Sequence, residues 1–201
     1  PTTLLLGSHS DTQPEGGWLD GALGVVYALE VARAINDDKE SASKYSVDIV
    51  SFADEEGTYL GMVGSRTFCN LIDHDKKELE SAIKFSGEES LIEALRRTKL
   101  LGQKTASFDP TRHFAFFEAH IEQGPILEAK KQTIGVVTAA QGQRWYEITV
   151  TGQESHAGPT PMTVRRDALV AASKIVQEIN RIGHHHPPHA CSTVGQMLVT
   201  P

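Results

Sequence analysis

Four short stretches carry side chains that can hold a metal ion or move a proton. They are Gly7-Ser-His9-Ser-Asp11, Gly16-Gly-Trp-Leu-Asp20-Gly21, Ala53-Asp54-Glu55-Glu56-Gly57 and Ala119-His120-Ile-Glu122-Gln123-Gly124. In the first, Asp11 stands two residues after His9, placed to take the second ring N–H of a metal-bound imidazole. In the second, glycines flank Asp20 at the mouth of a helix, where a carboxylate either caps the helix or bridges two ions. In the third, adjacent acids are costly if buried unpaired; a metal explains them better, one acid ligating it and a neighbour staying free as a proton acceptor. In the fourth, His120 follows an apolar run and reads either as a core histidine or as a ligand. Taken singly, each stretch also has an ordinary reading as a turn or cap. Together they offer His9, Asp20, Glu56 and His120 as mixed nitrogen and oxygen ligands, a set suited to zinc, or to manganese and cobalt. Their spacing is too wide for a zinc finger, and the glycines form neither a dinucleotide fingerprint nor a phosphate loop.

The elements that must position these groups follow from periodicity. Thr3–Gly7 and Val47–Ala53 read as buried parallel strands, Phe114–Ile121 as a third strand and Ile134–Ala139 as a fourth. Apolar residues between Leu23 and Ile35 recur at helical spacing, and Gly57–Asn70 also reads as helical. Three successive strands thus end in a candidate ligand, at the carboxyl edge where open α/β sheets place their sites. From about Leu71 to Pro110, with the charge run Asp73–Glu80 and a short helix over Ser90–Arg97, the chain reads as a solvated helical excursion. Beyond Gln141 the pattern changes. Tyr146, Ile148 and Val150 alternate with polar residues, a strong amphipathic helix covers Ala168–Ile179 with Gly183 as its stop, and Ser192–Val199 reads as a returning strand. The expected architecture is therefore α/β: a mainly parallel sheet in a metal-binding domain over 1–142, and the start of a smaller α+β domain over 143–201. Between the first strand and helix of that second domain lies Ser155-His156-Ala-Gly-Pro159. It reads as a turn, or as a loop whose histidine stabilises an oxyanion. The run His184-His-His-Pro-Pro-His189 reads as a solvated loop.

Composition narrows the partners. The chain has 201 residues, 39% of them apolar and 22% charged, with a net charge of -7. Nucleic acid and anionic membranes, which need a basic face, are excluded as main partners, and there is no apolar stretch long enough for a membrane span. Two cysteines, Cys69 and Cys191, do not make a disulfide framework and read as reduced thiols of a cytoplasmic protein. Because the chain starts at Pro1 and runs at once into a strand, it is expected to be a fragment of a longer protein.

In order, the stretches Gly7–Thr12, Gly17–Gly24, Ser51–Gly57, Glu118–Pro125 and Gly152–Pro159 resemble the M20 family of metal-dependent amidohydrolases. The branch that they resemble is the hydantoinase/carbamoylase group. The resemblance implies a zinc-peptidase-like catalytic domain with a lid domain that dimerises. It implies two divalent ions (zinc, or manganese, cobalt or nickel): His9, Asp20 and His120 at one, and Asp20, as a bridge, with Glu56 at the other. Glu55 is implied as general base, Asp11 as the residue that orients His9, and Gln123 as a substrate contact. His156 is implied as a lid residue that reaches an active site to bind substrate and stabilise an oxyanion. The implied substrate is a small ureido compound, an N-carbamoyl amino acid or allantoate. The rival readings are an M20 peptidase or aminoacylase, and a truncated relative without catalysis. The family's further histidine for the second ion and its carboxylate-binding arginine match nothing here and are expected beyond Pro201. The isolated chain is therefore expected to bind the second ion weakly.

Overall fold

The computed structural model describes residues 2–72, 76–84, 87, 89–102, 106–188 and 190–200. Asp73, His74 and Asp75 of the charge run and His189 of the histidine run lie outside the described residues. The chain divides into two compact units, Pro1–Val136 and Val137–Pro201.

The first unit is built on three parallel strands: β1 (Thr2–His9), β2 (Tyr45–Phe52) and β3 (His113–Phe117), in the order β2-β1-β3. In the central strand β1, Leu5 and Leu6 are both buried although neighbours face opposite sides, as expected for a strand covered on both faces. The register pairs His9 with Phe52 and Leu6 with Phe117, so the three strands end on one edge. Helix α1 (Ala22–Asp37) carries the chain from β1 back to β2 and buries Gly24 and Ala28 against the sheet. Gly24 is required there, because a Cβ would sit 2.3 Å from the Ala119 carbonyl oxygen and 2.6 Å from Ser8 Cβ. Asp38 ends α1 and starts the short helix α2 (Lys39–Lys44), accepting from Ser41 N–H at 3.0 Å.

Three short helices follow β2: α3 (Val63–Phe68), α4 (Lys76–Ser81) and α5 (Leu91–Arg97). Two expectations change here. The helix expected over 57–70 forms only from Val63, because residues 54–62 fold into a loop held by side-chain to backbone hydrogen bonds. The excursion is also not simply solvated. Val63, Ile72, Ala82 and Leu91 make a buried cluster, with Tyr59, Leu60, Leu79 and Leu95 packed against it, and Ile72 is only 2% exposed. Its apolar residues are spaced too irregularly for one helical face, so the polar composition hid them. Ser90 starts α5 with a reciprocal capping box to Glu93.

Strand β3 ends at Phe117, so His120 stands on the loop past the strand and not within it. After it comes the single turn of helix α6 (Ile126–Ala129), whose first amides, Ile126 and Leu127, donate to Glu122 at 3.0 and 2.9 Å.

In the second unit, a short 3-10 turn (Met162–Val164) precedes helix α7 (Ala168–His184), capped by Asp167 accepting from Val170 N–H at 2.9 Å. The helix continues one residue past Gly183. The strands expected over 134–139, 146–151 and 192–199 are absent among the described residues. Alternation specifies which side chains share a face, not which neighbour completes the ladder. No described segment supplies that neighbour, and Trp145, Tyr146, Ile148, Leu198 and Val199 are exposed.

Candidate metal centre

Three strand ends deliver the centre. His9 is the last residue of β1, Glu55 and Glu56 follow β2, and His120 follows β3. Asp20 comes from the loop before α1. His9 and Asp20 are buried, at 3% and 4% exposure. Gly21, at φ 70, lets the backbone pass flat against the His9 imidazole, where a Cβ would fall 2.3 Å from the ring.

The tautomers of both histidines are fixed by their neighbours. His9 Nδ1 lies 2.8 Å from the Asp11 carbonyl oxygen, and His120 Nδ1 lies 2.8 Å from the Ile121 carbonyl oxygen. A carbonyl only accepts, so each Nδ1 carries a proton, and it is the neutral ring's Nε2 that has a lone pair to offer. These two lone-pair nitrogens face each other at 3.3 Å. Asp20 Oδ1 is 3.1 Å from His120 Nε2 and 3.8 Å from His9 Nε2, and it is a buried oxygen without a hydrogen-bond partner among the described residues. Three electron-pair donors thus converge. A proton shared between two of them leaves the third unmatched; a divalent cation satisfies all three. His9, Asp20 and His120 therefore fit a metal ion, and His9, Glu55 and Glu56 form a second overlapping group, all ligand atoms of each lying within 4.8 Å of one another.

Asp11 meets His9 differently from the sequence expectation. Its backbone carbonyl, not its carboxylate, takes the Nδ1 proton, the nearer carboxylate oxygen standing 3.7 Å away. Asp11 Oδ2 instead accepts from the Glu56 backbone N–H at 3.1 Å, tying the end of β1 to the acidic loop. Glu55 reaches within 3.7 Å of His9 Nε2. Burial, first of all, pushes its carboxyl above the usual glutamate value; His9 pulls it down, and Glu56 and Asp11 add to the rise. A carboxyl shifted upward in this way is a better proton acceptor than an ordinary glutamate.

Gln123, at φ 56, donates from Nε2 to Asp20 Oδ2 at 2.7 Å, so its amide orients the carboxylate whose other oxygen is unpartnered. Sequence reasoning missed Gln13, which donates to Glu56 Oε2 at 3.1 Å and to the Glu56 carbonyl at 3.2 Å; a lone glutamine in a polar loop gives no signal. In the second unit, His156 Nδ1 accepts from Gly158 N–H at 3.0 Å, and Arg165 holds the same loop through the Ala157 and Thr160 carbonyls. The histidine run shows a solvated arrangement where described: His185 lies against the Arg181 guanidinium at 3.0 Å, at the end of α7.

Comparison with known proteins shows the family. The model of peptidase family M28 matches residues 1–107, which contain His9, Asp20, Glu55 and Glu56. The chain is 38% identical to an N-carbamoyl-L-amino-acid amidohydrolase of Rhizobium meliloti over 98% of its own length and 46% of the relative's. It is 33% identical to allantoate deiminase 1 of Glycine max, over 90% of this chain and 38% of that protein. A crystal structure of a hydantoinase/carbamoylase-family amidase from Burkholderia vietnamiensis superimposes with a TM-score of 0.83 at 46% identity, covering all of this chain and 48% of that one. The chain spans about half the length of the curated relatives it matches. The family model carries the M28 designation where the motifs resembled M20, while the relatives' names agree with the carbamoylase branch. By its matched residues the chain belongs to peptidase family M28, with hydantoinase/carbamoylase amidases as its relatives in sequence and in structure.

Proposed function

We propose that this chain carries the metal-holding part of an amidohydrolase that cleaves the C–N bond of a carbamoyl group, with N-carbamoyl amino acids or allantoate as substrate class. The observation that carries the reading is the convergence of the His9 and His120 lone pairs on an unpartnered Asp20 oxygen, beside an upshifted Glu55. The relatives' names supply the substrate class.

In this reading His9, Asp20 and His120 hold one divalent ion, and Asp20 with Glu56 holds a second. Such ions, zinc or manganese, cobalt or nickel, supply Lewis acidity and acidify bound water. Glu55 takes a proton from the attacking water and returns it to the leaving nitrogen. For a carbamoyl amino acid, one water is consumed, and ammonia, carbon dioxide and the amino acid are released. Asp11 holds His9 and the Glu56 backbone in place. Gln123 orients Asp20 and contacts substrate. His156, in a lid over residues 143–201, donates to the developing oxyanion. The protein works as a cytoplasmic homodimer joined through that lid. Its two cysteines, both free thiols, suit a reducing compartment.

Match to a peptidase family favours a second reading, hydrolysis of peptide-type amides. One assay separates them. The protein, in the longest form its gene encodes and loaded with Mn²⁺ or Zn²⁺, is given N-carbamoyl amino acids, allantoate, and N-acyl and dipeptide substrates, beside Glu55→Gln. Ammonia release lost in Glu55→Gln supports the first reading. Cleavage of peptide-type amides alone supports the second. No cleavage by a folded, loaded protein leaves a relative without catalysis.

A further inference from the structure

Of the three acids after β2, Asp54 has no place in either candidate metal group. Its carboxylate is fully engaged by its own loop: Oδ1 accepts from Thr58 N–H at 2.6 Å, and Oδ2 accepts from Tyr59 N–H at 2.9 Å and Leu60 N–H at 2.8 Å. Closing this ring requires a left-handed backbone at residue 54, and Asp54 adopts φ 52, a region that aspartate tolerates better than most residues. The following residues then lead straight back into the fold, as Met62 N–H donates to the Glu55 carbonyl at 3.1 Å and Gly64 N–H to the Ala53 carbonyl at 3.0 Å.

The far side of the loop is anchored separately. Tyr59 and Leu60, two of the residues whose amides Asp54 grips, pack on the buried cluster of Val63, Ile72, Ala82 and Leu91. The Tyr59 hydroxyl donates to Glu89 Oε2 at 3.0 Å, and Arg97 clamps the same carboxylate with Nε at 2.7 Å and Nη2 at 3.0 Å. A continuous series of contacts therefore runs from α5 through Glu89 and Tyr59 to the Asp54 carboxylate. The next two residues after Asp54 are Glu55 and Glu56.

We infer that Asp54 is the positioning residue of the acidic loop, and that the cluster of Val63, Ile72, Ala82 and Leu91, with Glu89 and α5, is the buttress that holds Glu55 and Glu56 against His9 for metal binding and proton transfer. This rests on the amidohydrolase reading for the reaction, but not for the metal affinity. It gives the excursion a function that its polar composition does not suggest: groups held by partners that do not move at the moment of reaction need no reorganisation.

The test uses the full-length protein, first metal-free and then titrated with Mn²⁺, with ion stoichiometry and affinity read by chelator competition and electron paramagnetic resonance. Asp54→Ala is expected to weaken the second ion about 10- to 100-fold and to lower kcat by a similar factor with KM little changed. Asp54→Asn tolerates the left-handed backbone and keeps one oxygen for the Tyr59 and Leu60 amides, so it restores most of the affinity. Tyr59→Phe, which removes only the hydroxyl tie to Glu89, is expected to weaken the second ion about fivefold. If Asp54→Ala does not fold, Asp54→Asn and Tyr59→Phe decide. Wild-type affinity in Asp54→Ala, an Asp54→Asn as weak as Asp54→Ala, or an unchanged Tyr59→Phe would each overturn the inference. Failure of the wild type to release ammonia from ureido compounds would remove the hydrolase reading alone, because ion affinity is measured without substrate.

Discussion

The three strands carry a histidine cluster at each end of the sheet, and the two clusters are opposites. At the amino end, His113 is buried at the start of β3 and every polar atom of its ring is matched. Its Nδ1 accepts from the Asp109 N–H at 3.2 Å, and its Nε2 therefore carries the proton that it donates to Asp48 Oδ2 at 3.0 Å. Arg112 pairs with the same aspartate, and the Phe108 ring stacks on the imidazole at 5.5 Å. At the carboxyl end, His9 and His120 have one nitrogen each matched and the other two pointing at each other and at an unpartnered Asp20 oxygen. The same residue type at the two ends of one sheet thus serves packing in one place and leaves an unpartnered acceptor in the other. Burial does not separate them, since His9 and His113 are both buried. What separates them is whether the donors and acceptors balance.

Breaking the carboxyl-end cluster should have the largest effects. Replacing Glu55 by Gln is expected to lower kcat about 10²- to 10⁴-fold in the full-length, metal-loaded protein, the usual worth of a general base. Yet the same variant should be no less stable without metal. Burial raises the Glu55 carboxyl, so the folded metal-free protein disfavours its charge. Stability from this group is then greatest at low pH and declines as pH rises through the shifted value. Thermal melts of the metal-free proteins at neutral pH check this; a clearly lower Tm for Glu55→Gln would show that its charge is welcome without metal. Metal itself should stabilise the fold by about 2.7 kcal/mol at a concentration 100 times the Kd, and His120→Ala should lose most of that gain.

The amino-end cluster should respond the other way. His113→Ala is expected to lower stability by about 2–3 kcal/mol, because it removes a buried ring, leaves the Asp109 amide without its acceptor and leaves Asp48 held by Arg112 alone. Ion affinity and KM should not change. Denaturant unfolding beside a Mn²⁺ titration measures both, and a loss of metal binding in His113→Ala would erase the distinction between the two ends.

This distinction was only half legible in the sequence. His9, Asp20, Glu55, Glu56 and His120 could be picked out because each follows a strand or opens a helix, and parallel strands bring their ends together. In the structure their ligand atoms fall into two overlapping groups, each within 4.8 Å. His113 gave no signal, because its partners, Asp48 on β2 and Asp109 in the preceding loop, are fixed only by strand order. Asp54 was legible as one of three acids but not as the one that faces inward to its own loop, since its role depends on the sign of φ. The buried cluster behind it was read as solvated, because Ile72, Ala82 and Leu91 are far apart in a charged stretch. The strands expected after residue 133 failed for a different reason: alternation identifies a face, whereas a strand exists only with a neighbour to bond.

Smaller effects test the supports. Arg97 and the Tyr59 hydroxyl hold the Glu89 carboxyl down to about 2. The folded value lies below the ordinary 4.5, so this contribution is complete above 4.5 and disappears as pH falls through about 2. Glu89→Gln should therefore melt below the wild type at neutral pH, with the gap closing in acid. A gap that stays constant with pH would mean that packing, not charge, ties α5 to the loop.

The smallest effect concerns an unmet group that faces away from the centre. Ser8 is fully buried, and its hydroxyl has no partner among the described residues. It is one residue before His9 on β1 and therefore points to the opposite face of the sheet, under Gly24 of α1. Ser8→Ala keeps the Cβ that packs on the helix and removes a hydroxyl stripped of water, so it should stabilise the protein by about 1 kcal/mol. Ion affinity should be untouched. Asp20 Oδ1 is equally unpartnered, but Asp20→Ala should abolish binding at the first ion, because that oxygen points to the two histidines. Two unmatched atoms with opposite consequences would show that an orphaned group signals function only where other donors converge on it. Weaker ion binding in Ser8→Ala would instead make the layer beneath α1 part of the metal centre.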